Sequence, residues 1–411
     1  MNKIKDLLSF SLKLFLYTIR GIVRIIPRSN YKWVFGANSG FRDNPKYLYL
    51  STKENHPEIR AIWIAKKKTT AKYLNDKGYE AYHWSSLKGL FHVATSKVLI
   101  SDHSTADINQ FLAEGSYYVN LWHGASVKRA RWQALDTFVR AYGAKNKQEL
   151  FKSLRFRVTE YPVLFRTNDL CLAPSSSLKQ EFFAQMMNMP EEDCVVGVYP
   201  RSKLLIEGKE AALDFIKRYE DETTLNFVSD LQNYQKVYIY MPTWRSDSHD
   251  FIAQAGIDWH SLNEVMQEKN ELFILKLHPF TKLNLEKLSQ LNHIQVYPPD
   301  SDIYAVLPFI DCLITDYSSI YTDFLTMNKE IILFVFDYEE YVKNSSELYD
   351  YDKYYIGKRA YSFTELLEII KSGEDCHVPN EKYDFLMDYF WDGNRCNIDI
   401  VDVIKKRIGI N

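Results

Sequence analysis

The stretch Ile310–Asp337, IDCLITDYSSIYTDFLTMNKEIILFVFD, decides how the chain folds. Leu313 and Ile314 end an apolar run, Asp316-Tyr317-Ser318-Ser319 turns the chain, Ile320–Met327 carries a helical pattern, and Ile331–Phe336 is a second apolar run. An apolar strand, a polar turn, a short helix and another apolar strand make a parallel unit buried on both faces. A helix that starts beside hydroxyls has two readings. Asp316, Ser318 or Ser319 caps the first turn, or the leading N–H groups and the helix dipole hold an anion such as a phosphate.

Working outward, the same alternation covers most of the chain. Lys32–Phe35, Ala61–Ala65, Val98–Ser101, Tyr117–Leu121, Leu170–Ala173 and Val195–Val198 read as strands, and Asn44–Glu54, Thr69–Lys77 and Ser175–Met187 as helices. A second series follows the Pro-marked turn Tyr199-Pro200-Arg201: Lys236–Met241, Phe273–Leu277, Ile294–Tyr297, Leu313–Thr315 and Ile331–Phe336. Alternation of this kind gives an α/β protein with two doubly wound parallel sheets. The expected organisation is an N-terminal helix over 1–28, one Rossmann-like domain over 29–200 and another over 201–382. A final helical segment over 383–411 is expected to cross back onto the first domain. No internal sequence repeat is evident.

Composition narrows the class. A chain of 411 residues with 46% hydrophobic and 15% aromatic residues has ample core for two domains. A net charge of −2 gives no global case for nucleic-acid binding, and five scattered cysteines without CxxC spacing read as reduced thiols. Met1–Pro27 is apolar apart from a stripe where Lys13, Arg20 and Arg24 fall together, with Asp6 and Ser9 beside it. Such a basic amphipathic helix lies on an anionic lipid surface or packs on the protein's own body, and its cations oppose a membrane span. Lys128–Arg166 is a second basic stretch, read either as a solvated face or as a surface for a membrane or polyanion.

Four polar clusters stand at the ends of apolar strands, where open α/β sheets place ligands. They are Trp122-His123-Gly124, Pro242-Thr243-Trp244-Arg245, His278-Pro279 and Thr315-Asp316-Tyr317-Ser318-Ser319. Asp300-Ser301-Asp302 has DxD spacing, yet Pro298-Pro299-Asp300 reads first as a turn. Asp247, His249 and Asp250 form a weak metal-like group in a polar loop. Dinucleotide-binding, P-loop, nucleophile-elbow and zinc-protease motifs are absent.

At these clusters the sequence resembles the bacterial CDP-glycerol glycerophosphotransferase family of teichoic-acid and capsule synthesis. The resemblance rests on NLWHG (Asn120–Gly124), YMPTWRSD (Tyr240–Asp247), LKLHP (Leu275–Pro279), DCLITDYSSIYTDF (Asp311–Phe324) and the YPR turn at Tyr199–Arg201. It implies a GT-B fold, two Rossmann-like domains facing across a cleft. Catalysis is implied for His123, as base, and for His278, on the donor's phosphates. Gly124, Thr243, Arg245, Thr315, Asp316, Ser318, Ser319 and Asp323 are implied to build the substrate side. The chain departs from the family at Ala125–Arg129, at Ser202-Lys203 and at Lys329-Glu330; the first of these touches a loop near the acceptor.

The implied reaction transfers glycerol phosphate, or a related polyol phosphate, from CDP-glycerol or CDP-ribitol to a lipid-linked or polymeric acceptor at the cytoplasmic face of a bacterial membrane. No metal and no cofactor are expected, because cations of the site would neutralise the pyrophosphate. Two other readings stay open at this level. One is a GT-B glycosyltransferase or epimerase using a UDP-sugar, for which Glu330 or Asp323 would hold ribose. The other is a non-catalytic membrane scaffold on the same fold.

Overall fold

The computed structural model describes residues 20–125, 168–186, 189–243, 245, 251–277, 281, 288, 290–344, 351–395 and 397–410, with Ser11 and Phe15. Two compact units emerge: residues 1–123, 129–201 and 395–411 form the first, and 124–128 with 202–394 the second.

In the first unit, β1 (Ser29–Phe35), β2 (Arg60–Ala65), β3 (Ala81–His83), β4 (Ser96–Ser101), β5 (Tyr117–Asn120), β6 (Leu170–Ala173) and β7 (Cys194–Val196) form one sheet in the order β3-β2-β1-β4-β5-β6-β7. Every neighbouring pair is parallel. Val34, Ile62, Ile64, Leu99 and Tyr118 of the central strands pack with Val93, Ile108 and Ala113. The strand order reverses between β1 and β4, which opens a crevice at their carboxyl ends.

The second unit repeats the winding with β8 (Val237–Tyr240), β9 (Leu272–Leu275), β10 (Ile294–Val296), β11 (Cys312–Thr315), β12 (Glu330–Phe334) and β13 (Lys358–Ala360), in the order β10-β9-β8-β11-β12-β13. These pairs too are all parallel. Tyr238, Tyr240, Leu275, Ile314 and Phe334 meet Leu262, Met266 and Ile369 of the covering helices. Here the order reverses between β8 and β11, so the opening stretch lies at the switch point.

Several expectations change. Tyr199-Pro200-Arg201 is not a turn: Pro200 opens the helix Pro200–Glu207, where a missing N–H costs nothing, and the division between units falls just after Arg201. The C-terminal segment is two helices, Asn380–Trp391 and Ile400–Ile408, because Asp392, Gly393 and Asn394 all take positive φ and break the ladder. Residues 395–411 belong to the first unit, where Asp399 accepts from His56 at 3.1 Å and Lys405 pairs with Glu58 at 2.8 Å. Ser176–Leu178 continues into a π-helical turn over Lys179–Met186 rather than a regular helix. β3 and β13, three residues each, went unread.

Most of the segment expected to form an N-terminal amphipathic helix lies outside the described residues, and so does the basic stretch Lys128–Arg166. At the described end, Arg20–Val23 is helical and Arg20 is paired with Glu114. Arg28 donates to the carbonyls of Val93, Ser96 and Leu112 at 2.7–3.1 Å, so this end packs on the first unit. Ile22 and Ile25 remain exposed. Among the described residues no helix is long and apolar enough to cross a membrane.

Candidate functional site

In the first unit the polar residues gather beyond β4 and β5. Trp122 takes φ 58° and Gly124 φ 150°, so the WHG segment turns in a conformation that a bulky Trp adopts only when held. It is held on several sides. Asn120 Oδ1 accepts from Trp122 N–H at 2.9 Å, Asn44 Nδ2 donates to Trp122 O at 2.9 Å, and buried Arg201 donates to His123 O at 3.1 Å. Arg201 is anchored by Asp43 at 2.5 Å, and Asp43 itself has φ 64°.

His123 Nδ1 lies 3.0 Å from the carbonyl oxygen of Asp102. A carbonyl only accepts, so Nδ1 carries the proton and Nε2 is left as the basic nitrogen. Burial, reinforced by neighbouring His103, pushes the His123 pKa down to about 4. The imidazole is therefore neutral at physiological pH, the state a general base needs before it acts.

Asp102 and His103 follow β4 directly and were not singled out from sequence, although a polar pair after an apolar strand is the signal that drew attention to the other four clusters. His103 Nδ1 lies 3.0 Å from Asp102 Oδ1, and Asp102 Oδ2 is buried without a hydrogen-bond partner. Burial pushes Asp102 up to about 6 against the pull of His103, while Asp102 raises His103 in spite of its own burial. The two titrate as a pair. Asp102, His103 and Asp107 also bring three possible ligand atoms within 4.8 Å. Hydrogen bonds already use much of this group: Asp107 Oδ2 accepts from His103 N–H and Ser104 N–H at 3.0 Å each.

In the second unit the switch point is closed by charge. Asp316, fully buried at the end of β11, accepts from Thr243 N–H at 2.8 Å and Thr243 Oγ1 at 2.7 Å beyond β8, and from Tyr317 N–H at 2.5 Å. Arg245 Nη2 donates to Asp316 at 2.9 Å, Nε to Asp337 at 3.0 Å, and Nη1 to Thr243 O at 2.7 Å. Burial alone would weaken the guanidinium charge, but Asp316 and Asp337 more than reverse this and hold it firmly protonated. Its Cζ lies 4.5 Å from the Tyr341 ring centre, and Tyr341 stacks on Tyr317 at 3.8 Å.

Several residues of the expected site have partners within the protein. Arg245 donates to Asp316, Asp337 and Thr243 O, so it braces the turn. Ser319 at the helix start has φ −66°, ψ −12° and no side-chain cap, because an N-cap bond needs extended backbone. Asp316 does not cap either; its oxygens are taken by Thr243, Arg245 and Tyr317 N–H. Thr315 Oγ1 donates to Met241 O at 2.7 Å, and Asp323 accepts from Ser202 and Tyr304 at 2.9 Å each. Half-buried Ser318, Ser319 and Thr243 are the members of the set that reach solvent. The turn itself is braced by tyrosines: Tyr351 donates to Asp316 O at 3.0 Å and Tyr355 to the carbonyls of Tyr317 and Ser318 at 3.4 Å.

His278, Pro279, Trp244 and the Asp247, His249 and Asp250 group lie outside the described residues. Asp300-Ser301-Asp302 forms the turn read from its prolines, with Ser301 N–H bonded to Pro298 O at 3.1 Å and Asp302 Oδ1 accepting from Tyr304 N–H at 3.1 Å.

Comparison with known proteins gives consistent matches. The family model for CDP-glycerol:poly(glycerophosphate) glycerophosphotransferase matches residues 22–394. The teichoic acid poly(glycerol phosphate) polymerase of Bacillus subtilis (strain 168) is 24% identical over 398 residues, 92% of this chain and 49% of that protein. A polymerase of the same description from Bacillus spizizenii is 25% identical over 396 residues, covering 94% of this chain and 93% of that one. The chain spans about half the length of the first two relatives it matches. Among solved structures, the wall teichoic acid polymerase TagF superposes with a TM-score of 0.69 at 21% identity, over 99% of this chain and 98% of that one. At that identity the likeness establishes the fold.

Proposed function

The chain belongs to the CDP-glycerol:poly(glycerophosphate) glycerophosphotransferase family, and on that premise we propose that it transfers glycerol phosphate, or a related polyol phosphate, from CDP-glycerol or CDP-ribitol to a hydroxyl of a lipid-linked or polymeric acceptor. The product would enter teichoic acid or capsular polymer. The observation that carries this reading is the family match over 22–394, which takes in both His123 and the Thr243–Asp316 turn. The proposal includes the GT-B arrangement expected from sequence.

In the proposed reaction the acceptor oxygen bonds to the β-phosphorus of the donor, the bond to the α-phosphate oxygen breaks, and CMP leaves with the electron pair. His123 Nε2 receives the acceptor's proton. Phosphoryl transfer passes through a loose transition state, so most of the catalysis is positioning and charge stabilisation, and a weakly basic imidazole suffices. The braced turn at Ser318 and Ser319 would present its own N–H groups to the donor's phosphates, since those of Tyr321 and Thr322 are bonded to Ser318 O and Ser319 O. His278 is the expected second phosphate contact.

A UDP-sugar reading wants a carboxylate open to ribose. Of the two carboxylates expected for that role, Glu330 is paired with Lys236 at 2.6 Å and Asp323 is bonded to Ser202 and Tyr304. Incubation with CDP-glycerol, CDP-ribitol or a UDP-sugar, each with acceptor and with EDTA present, should release CMP from a CDP-alcohol and leave the UDP-sugar intact. Turnover of the UDP-sugar alone overturns the assignment. Loss of CMP release in EDTA that Mg²⁺ restores overturns the metal-free part.

Membrane attachment through residues 1–27 belongs to the same proposal. The exposed Ile22 and Ile25 beside Arg24 fit an interfacial segment. Removing 1–27 should shift the protein from floating with anionic vesicles to the soluble fraction, while a soluble acceptor analogue is still used. Undiminished flotation would place the anchor elsewhere.

A further inference from the structure

One residue, Asp102, orients two imidazoles at once. Its main-chain carbonyl holds His123 Nδ1 at 3.0 Å, and its carboxylate holds His103 Nδ1 at 3.0 Å. The two rings stack with centres 3.8 Å apart and planes within 5°. On His123 the Trp122 ring also stacks, at 4.4 Å and 29°. Two rings that close to a third cannot share one of its faces, so His123 is sandwiched between Trp122 and His103.

We propose that His103 is a positioning residue for His123: clamped by Asp102, it fixes the plane of the base and so the direction of His123 Nε2. This inference rests on the assignment of His123 as the base. Rotation of an imidazole about χ2 is soft, and a hydrogen bond at Nδ1 alone leaves the plane free to rock about the bond. Stacking on both faces removes that freedom. Holding the base in its productive direction is the kind of preorganisation whose loss costs about 100-fold in rate.

His103 also has an electrostatic part. Its side chain is 48% exposed, so it can take a proton from solvent, and its pairing with buried Asp102 raises its pKa. Among the described residues, the charged groups that act on the two rings include Asp43, Asp102, Asp107 and Arg201. A protonated His103 offsets Asp102 and disfavours a second charge on His123. Removing His103 takes away that cation and exposes His123 to Asp102, so the pKa of the base should rise.

Two variants separate plane from charge, read by CMP release with CDP-glycerol and by CDP-glycerol binding as the fold control. His103→Ala should lower kcat about 100-fold with little change in KM for the donor, and should move the acid limb of the pH profile upward. His103→Phe restores a stacking ring without the charge; kcat should recover most of the loss while the acid limb stays shifted. Wild-type kcat and pH profile in His103→Ala, with donor binding intact, overturn the proposal. So does a His103→Phe enzyme as slow as His103→Ala. Absence of CMP release from the wild-type enzyme would instead strike the functional assignment.

Discussion

Replacing His123 by Asn is expected to slow CMP release by about 10²–10⁴-fold, the range for loss of a general acid–base group, while leaving CDP-glycerol binding within a few-fold. Asn is the informative choice because its side-chain NH₂ can reproduce the Nδ1–H bond to Asp102 O, seen at 3.0 Å, while lacking any counterpart of Nε2. The turn around Trp122 then keeps its supports in Asn44, Asn120 and Arg201, and the loss reads the missing base rather than a disturbed fold. The wild-type pH dependence supplies a second check. A free histidine base would lose activity on acidification near 6.5, whereas burial and His103 put His123 at about 4. With His123 as the proposed base the neutral form is the active one, and because its pKa is lowered the acid limb of kcat/KM for wild type should fall well below 6.5. A His123→Asn enzyme with undiminished CMP release, or an acid limb near 6.5, would leave this residue without its role.

How much of this was legible in the chain depends on how local each feature is. β8 (VYIY) and β11 (CLIT) declare themselves because strands covered on both faces must be apolar throughout, and their alternation with helices points to a parallel sheet. β3 (AYH) and β13 (KRA) are three-residue edge strands with polar members, which nothing local separates from turns. The Asp102-His103 pair was legible by position yet passed over, since neither residue is remarkable until the stack with His123 is seen. The role of Arg245 was out of reach. Its second carboxylate, Asp337, lies 92 residues away, and only the pairing of β8, β11 and β12 brings the three together. Helix capping at Ser319 failed for a related reason: the capping residue types were present, but the backbone there is already helical.

The second large effect should come from Arg245→Met. In the folded chain two carboxylates, Asp316 and Asp337, share one buried guanidinium, and Tyr317 Oη adds a donor to Asp337 at 3.1 Å. Methionine fills much of the space and removes the charge, leaving two acids to be satisfied by Thr243, Tyr317 and backbone N–H groups alone. Breaking a buried pair from one side typically costs about 3–5 kcal/mol, because the remaining charge has lost its partner. That is a large part of the stability of an ordinary domain, so the denaturation midpoint should fall sharply. Arg245→Lys tests the other half of the reasoning. It keeps a cation, but a single ammonium cannot span Asp316, Asp337 and Thr243 O as the planar fork does. The fold should survive with the turn at Ser318 and Ser319 less well held, raising KM for CDP-glycerol more than it lowers kcat. Should Arg245→Met melt like wild type, the guanidinium is not the keystone of this turn, and a direct contact with the donor's phosphates becomes the better account of its presence.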